Sequence, residues 1–114
     1  MNDSILTSVK KMLGITEDYE HFDQDIIIHI NSVFMILRQL GVGPENGFSI
    51  TGKTETWTDF TSDIDQLESI KTYIYMRVKL IFDPPQTSFV IEAMNKQIAE
   101  LEWRLNVEVD PKVT

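Results

Sequence analysis

The run from Phe22 to Leu40, FDQDIIIHINSVFMILRQL, constrains the fold more than any other part of the chain. A helix is predicted by the apolar residues that recur every three or four positions, Phe22, Ile26, Ile30, Val33, Leu37 and Leu40. Further apolar residues lie between them, namely Ile27, Ile28, Phe34, Met35 and Ile36. A helix that is apolar around most of its circumference has to be covered on more than one side. In a chain of 114 residues, a contact with a second subunit is a natural source of that cover.

Three further helices are predicted from the same periodicity and from the residues that begin and end it. The four predicted helices span about residues 3–13, 22–40, 63–82 and 84–105, with Ser88 as an alternative start of the last. Asp3 or Ser4 is placed to cap the first helix and Asp63 to cap the third, while Gly14 and Gly41 end the first two. The chain is therefore predicted to be all-α, a small four-helix bundle that forms one domain over residues 1–114.

A long loop, residues 41–62, and a C-terminal tail, residues 106–114, lie outside these helices. Gly, Pro, Asn, Ser and Thr are frequent in the loop, and alternation in FSITGKTETW offers a short β-hairpin as one option for part of it. In the tail, Val107 and Val109 alternate with polar residues. We expect the tail to be extended and to add as a strand to a neighbouring protein.

Two adjacent prolines separate the third and fourth predicted helices, in the sequence Asp83, Pro84, Pro85, Gln86. Proline disfavours helical geometry in the residue before it, so the third helix has to end near Phe82. Pro84 suits the first position of the next helix, with Asp83 and Gln86 resembling a capping box. The sequence predicts a stiff corner that joins two antiparallel helices.

Composition excludes several kinds of chemistry. The chain has no cysteine, which rules out disulfides, thiolate nucleophiles and zinc held by cysteine. Its net charge of −8 disfavours a non-specific grip on nucleic acid, because that grip relies on Lys and Arg side chains. If the protein meets DNA, we expect it to let the DNA pass. We also expect a soluble protein, because no apolar run is long enough to span a bilayer.

Two small groups of residues offer a metal site, and both have a simpler explanation. His21, Asp25 and His29 would share one face of a helix, but no fourth ligand accompanies them. Asp63 and Asp65 suit Mg²⁺, yet they equally suit the beginning of a helix. We therefore expect no catalytic residue, metal or cofactor. The alternatives left open are an acidic all-α, Mg²⁺-dependent nucleotide hydrolase and an acidic regulatory module that binds a basic protein.

The segments Phe22–Pro44 and Tyr73–Val107 resemble the small head–tail connector, or adaptor, proteins of tailed bacteriophages and prophages. The most specific part is the FDPP corner followed by a helix that ends in ELEWRL. The resemblance implies a helical subunit of a ring between the portal protein and a head-closure or tail protein. Such a ring extends the DNA channel without binding DNA specifically. It also implies location at the head–tail junction of the virion, assembly in the host cytoplasm and no cofactor.

The ring contacts are expected mainly along the second and third predicted helices, with the loop and the tail docking to other partners. Trp103, near the end of the fourth helix, is expected to pack in the core, with a hot spot of a partner contact as the alternative. The interface candidates are large apolar residues, namely Ile27, Ile28, Phe34, Met35, Tyr73, Met76, Trp57, Phe60, Val107 and Val109.

Overall fold

A computed structural model of the chain describes residues 3–109, and side chains as far as Val107. Within residues 3–109 the chain is all-α, as predicted, with no strand of a sheet. The helices are α1 (Ile5–Met12), α2 (Asp23–Gln39), α3 (Trp57–Phe60), α4 (Ile64–Phe82) and α5 (Ser88–Val109).

The predicted ends of the first two helices are confirmed. Beyond α2, Gly41 has a φ of 86°. Its backbone N–H donates to the carbonyl of Arg38 at 2.9 Å, and that of Val42 donates to Leu37 at 2.8 Å. This is the Schellman arrangement, which requires a left-handed residue and therefore favours glycine. Gly14 ends α1 in the same way, with a φ of 84°.

α2 lies at the centre of the core and is covered mainly from within the chain. It contacts α4 most extensively and α1 less so. The long loop adds Phe48 and Phe60, whose rings lie 5.1 and 4.8 Å from that of Phe34. The expectation that the apolar circumference of α2 needs a second subunit therefore applies only to the residues left exposed, Ile28 and Met35.

The long loop does not form the β-hairpin offered by its alternation. The side chain of Asn31 instead pairs with the backbone of Ile50, as donor to its carbonyl at 3.0 Å and acceptor from its N–H at 2.8 Å. The carboxylate of Glu55 accepts from the backbone and hydroxyl of Thr51 at 2.9 and 2.8 Å. Side chains thus satisfy backbone groups that a hairpin would have paired, and the loop ends in α3.

A buried ion pair joins α1 to the start of α2. Lys10 is 1% exposed, and its ammonium lies 2.8 Å from a carboxylate oxygen of Asp23. It also donates to the backbone carbonyl of Glu17 at 3.0 Å. A charge removed from water in this way requires such partners.

The proline corner differs from its prediction. Of the two predicted starts of the last helix, Ser88 is confirmed and Pro84 is wrong, because α5 begins at Ser88. Thr87 caps α5, since its hydroxyl accepts from the backbone of Val90 at 3.3 Å. Asp83 ends α4 and accepts from Lys79 at 3.0 Å, so the predicted capping box of Asp83 and Gln86 is wrong. Residues 83–87 form a turn between the helices.

The prediction of an extended tail is wrong as far as the structure describes it. α5 continues to Val109, and Asn106 donates from its side chain to the carbonyl of Leu40 at 3.1 Å. That contact and the burial of Leu105 hold the last turns of α5 against the core. The rest of the predicted tail, residues 110–114, lies outside the described residues.

Candidate interaction surfaces

The structure divides the predicted interface residues into two groups. Ile28, Met35 and Val107 are exposed, at 60%, 66% and 48%. The side chain of Val109 lies outside those described. The other six are buried within the subunit, so their side chains are not accessible to a neighbouring subunit. They are Ile27, Phe34, Tyr73, Met76, Trp57 and Phe60. Their size and hydrophobicity are explained by the core.

The first exposed surface is the outer face of α2, made of Ile28, Ser32, Met35 and Gln39. These residues follow one another at intervals of three or four and therefore share one side of the helix. Ser32 turns its hydroxyl back to the carbonyl of Ile28 at 3.0 Å, which leaves the apolar side chains as the prominent features. This face is the part of the predicted ring contact that remains available.

Met35 also borders a groove of about 300 Å³ between α2 and the long loop. Arg38 lines the same groove and donates from Nε to the carbonyl of Glu45 at 3.1 Å. The loop is thereby held beside the exposed end of α2. An apolar side chain, a guanidinium and a loop edge together suit a protein contact, and the described residues that line the groove include no carboxylate.

The second exposed surface lies on α5, and the sequence offered Trp103 alone as part of it, as the alternative to core packing. Phe89 and Trp103 are 79% and 67% exposed, so the expectation that Trp103 packs in the core is wrong. They lie fourteen positions apart, which is two heptads, so they share one side of the helix. The sequence signal was this spacing, but the alternating charges of Glu92, Lys96 and Glu100 around it resembled an ordinary solvated surface.

The opposite side of α5 packs against α4 through a narrow apolar stripe. Ile98 and Leu105 are buried, and Met94 and Leu101 partly so. The two helices are antiparallel, because a five-residue turn joins them while Tyr73 in α4 bonds to Glu102 in α5. The prediction of an antiparallel pair is thus confirmed.

A polar network fixes α5 against α4. The hydroxyl of Tyr73 donates to the carboxylate of Glu102 at 2.7 Å. Arg77 donates from Nε to the hydroxyl of Tyr73 at 2.8 Å and from its terminal nitrogen to Glu102 at 2.5 Å. The sequence gives no sign that Glu102 belongs to such a network. Its partner 29 positions away carries no periodic signal.

The network shifts the pKa of each of its members. Burial, and then the hydrogen bond to Glu102, raise the pKa of Tyr73 well above its usual value. Burial opposes ionisation of Glu102, but the hydrogen bonds from Arg77 and Tyr73 outweigh it and lower the pKa of that carboxyl. Burial likewise disfavours the charged form of Arg77, and the same bonds raise its pKa overall. Arg77 and Glu102 are thus both charged, and their hydrogen bonds with each other and with Tyr73 hold α5 against α4.

The residues weighed as metal ligands are explained by other contacts. Asp63 accepts from the backbone N–H groups of Asp65 and Gln66 at 3.1 and 3.3 Å, as expected of a helix cap. The ring of His21 lies 4.7 Å from that of Phe22. Among residues 3–109, no group of three or more His, Cys, Asp or Glu side chains is arranged to hold a metal ion.

None of the helices in the described part of the chain is both long and apolar enough to cross a bilayer. A family model described as phage connector protein matches residues 5–112, nearly the whole sequence. The chain belongs to the phage connector protein family.

Phage connector proteins are structural proteins of the virion, and the resemblance found in the sequence is confirmed by this match. Family membership implies that this connector contacts other virion components. No curated protein and no solved structure matches the chain significantly.

Proposed function

We propose that this connector forms a closed ring between the portal vertex and the tail or the next head-completion protein. The ring extends the channel through which DNA passes. Assembly takes place in the host cytoplasm, and neither a cofactor nor a metal takes part. The portal protein lies on one side of the ring and a head-closure or tail protein on the other.

The observation that carries the proposal is the exposed outer face of α2 in a member of the connector family. Ile28 and Met35 are both more than half exposed and lie seven residues apart on one face. A closed ring needs a heterologous contact, in which one surface of each subunit meets a different surface of the next. Burying these two side chains against a neighbour would contribute to that contact by the hydrophobic effect.

The acidic character of the chain supports passage of DNA. With a net charge of −8, the ring repels phosphates wherever its carboxylates face the channel. Lysine and arginine release counterions and hold DNA, so an excess of them in a channel would slow its movement. We therefore expect the DNA duplex to pass through the connector without being bound tightly.

The experiment is a complementation of a phage that lacks this gene. The double variant Ile28→Asp, Met35→Asp should leave tailless heads that lose their DNA, because charges on the outer face of α2 oppose the subunit contact. The double variant Asn95→Asp, Gln97→Asp is the matched control, since both residues are exposed and lie on α5, outside the helices expected to make the ring contact. Circular dichroism confirms that both variants are folded.

Normal titres with the double variant, at wild-type incorporation into heads, would refute the role of this face. Normal particles from the phage lacking the gene altogether would refute the connector role itself. A nucleotide hydrolysis assay with Mg²⁺ separates this proposal from the enzymatic alternative, and we expect no turnover.

A further inference from the structure

The outer face of α5 has a second heptad stripe, opposite the one that packs on α4. Its members are separated by four, three, four, three and four positions, an average near the 3.5 residues of a coiled-coil seam. All six are exposed. We define the outer face of α5 by these residues, Phe89, Ala93, Lys96, Glu100, Trp103 and Val107.

We propose that the outer face of α5 pairs with the same face of a second copy of the chain, with the two helices antiparallel. When the two copies are related by a two-fold axis at position 98, each residue of the stripe lies opposite a residue of complementary size or charge. The largest apolar side chain is opposite the smallest, and each cation is opposite an anion. The opposed residues are Phe89 with Val107, Ala93 with Trp103, and Lys96 with Glu100.

The charges select this arrangement over its competitors. A parallel pair would place Lys96 against Lys96 and Glu100 against Glu100. An antiparallel pair displaced by one heptad would place Glu100 against Phe89 or against Trp103. Either arrangement buries a charge against a like charge or against an apolar ring, which is unfavourable. Polar residues within a seam fix register and orientation in the same way in coiled coils.

The pairing is expected to be weak and reversible. One exposed helix face supplies less than the roughly 800 Å² per partner that stable complexes bury. The two Lys96–Glu100 pairs at the centre favour the antiparallel orientation but contribute little to the affinity. The dimer is therefore a state of the free protein at high concentration and is separate from the ring proposed above, which uses the outer face of α2.

Charge reversal tests the pairing by sedimentation velocity over a series of protein concentrations. Lys96→Glu alone and Glu100→Lys alone should each be monomeric where the wild-type chain dimerises. An equimolar mixture of the two variants should dimerise again, because every facing pair in the mixed dimer is then of opposite sign. Each variant keeps its own like-charged neighbours four positions apart within the helix, so recovery in the mixture reports only the contact between chains.

Cross-linking tests the orientation, and the absence of native cysteine makes each introduced thiol unique. Residue 99 lies beside the proposed two-fold axis, so Ala99→Cys should form a dimer with a short bis-maleimide. Ser88→Cys should not, because its two copies would be about 30 Å apart at 1.5 Å per residue. A parallel pair would cross-link through both.

All measurements are repeated with Ile28→Asp, Met35→Asp added, so that any contact through the outer face of α2 is removed. The proposal predicts the same dimer in that background. It is overturned if association is lost with those α2 changes, if the mixed charge variants stay monomeric, or if Ala99→Cys fails to cross-link. None of these results bears on whether the ring forms in the virion.

Discussion

The side-chain amide of Asn31 forms two hydrogen bonds with the backbone of Ile50, at 3.0 Å to its carbonyl and 2.8 Å from its N–H. Asn31 belongs to α2, and Ile50 is a buried residue of the long loop nineteen positions later. The loop forms no hairpin that could pair the N–H and the carbonyl of Ile50. The side chain of Asn31 pairs both of them instead.

Asn31→Ala is expected to lower the free energy of unfolding by about 1–3 kcal/mol, because it leaves both backbone groups of Ile50 without partners. Urea denaturation measures the change, and limited proteolysis within residues 41–56 should become faster. Ser32→Ala is the control, since among the described residues the exposed Ser32 bonds only to Ile28 of its own helix. Equal effects of the two substitutions would show that Asn31 does not anchor the loop.

Gly43→Ala is expected to destabilise the chain by about 2–4 kcal/mol, from left-handed backbone strain together with a clash in the core. Gly43 has a φ of 94°, and an added Cβ would lie 2.5 Å from a ring carbon of the buried Phe60.

Gly14→Ala is the matched control, because Gly14 has a φ of 84° and no described residue lies within 4 Å of an added Cβ. It should cost only the strain, about 1–2 kcal/mol. Thermal or urea unfolding compares the two substitutions. A cost for Gly43→Ala no larger than that for Gly14→Ala would argue against a close approach between residue 43 and Phe60.

Lys10→Met is expected to cost about 3 kcal/mol, because it leaves the largely buried carboxylate of Asp23 without its cation. The double variant Lys10→Met, Asp23→Asn removes both charges and should recover part of that loss. A double-mutant cycle by urea denaturation measures the coupling. Additive effects of the two changes would mean that the ion pair contributes nothing of its own.

Glu102→Gln is expected to make stability less dependent on pH under acidic conditions. The pKa of Glu102 is lowered in the folded chain, so protons bind it more readily in the unfolded chain, where a Glu pKa is about 4.3. Its contribution is therefore complete above that value and is lost as the pH falls through the folded pKa.

The measurement is the free energy of unfolding of both proteins between neutral pH and strongly acidic pH. Wild type should exceed Glu102→Gln at neutral pH, and the difference should shrink in acid. A difference that is constant across the range would contradict a lowered pKa for this carboxyl.

Local signals in the sequence were sufficient for the helix ends that depend on one residue type. Gly14 and Gly41 adopt the left-handed conformation that glycine favours, and Asp63 caps α4 with its own side chain. The proline corner was misassigned because Pro84 fits a helix start and an irregular turn equally well. Thr87, three positions later, offered a competing cap, and the structure uses it.

The remaining differences arise from contacts between residues distant in sequence. Phe48 and Phe60 of the long loop cover Phe34 of α2. The hydrogen bond from Asn31 to Ile50 helps to fix the loop in the position that allows this cover. Alternation at Val107 suggested a strand, but packing of Leu105 and the bond from Asn106 favour continuation of the helix. Periodicity reports one helix at a time and contains no information about such partners.

The two stripes of α5 make it unusually sensitive to insertions. One residue added between Ile98 and Leu101 would rotate everything after it by about 100°, since a helix turn contains 3.6 residues. Leu101 and Leu105 would leave α4, and Glu102 would lose Tyr73. The same residue added to the turn at 83–87 would rotate nothing within α5. We expect natural variation in length among related connectors to be concentrated in that turn and in the long loop, and to be rare within α5.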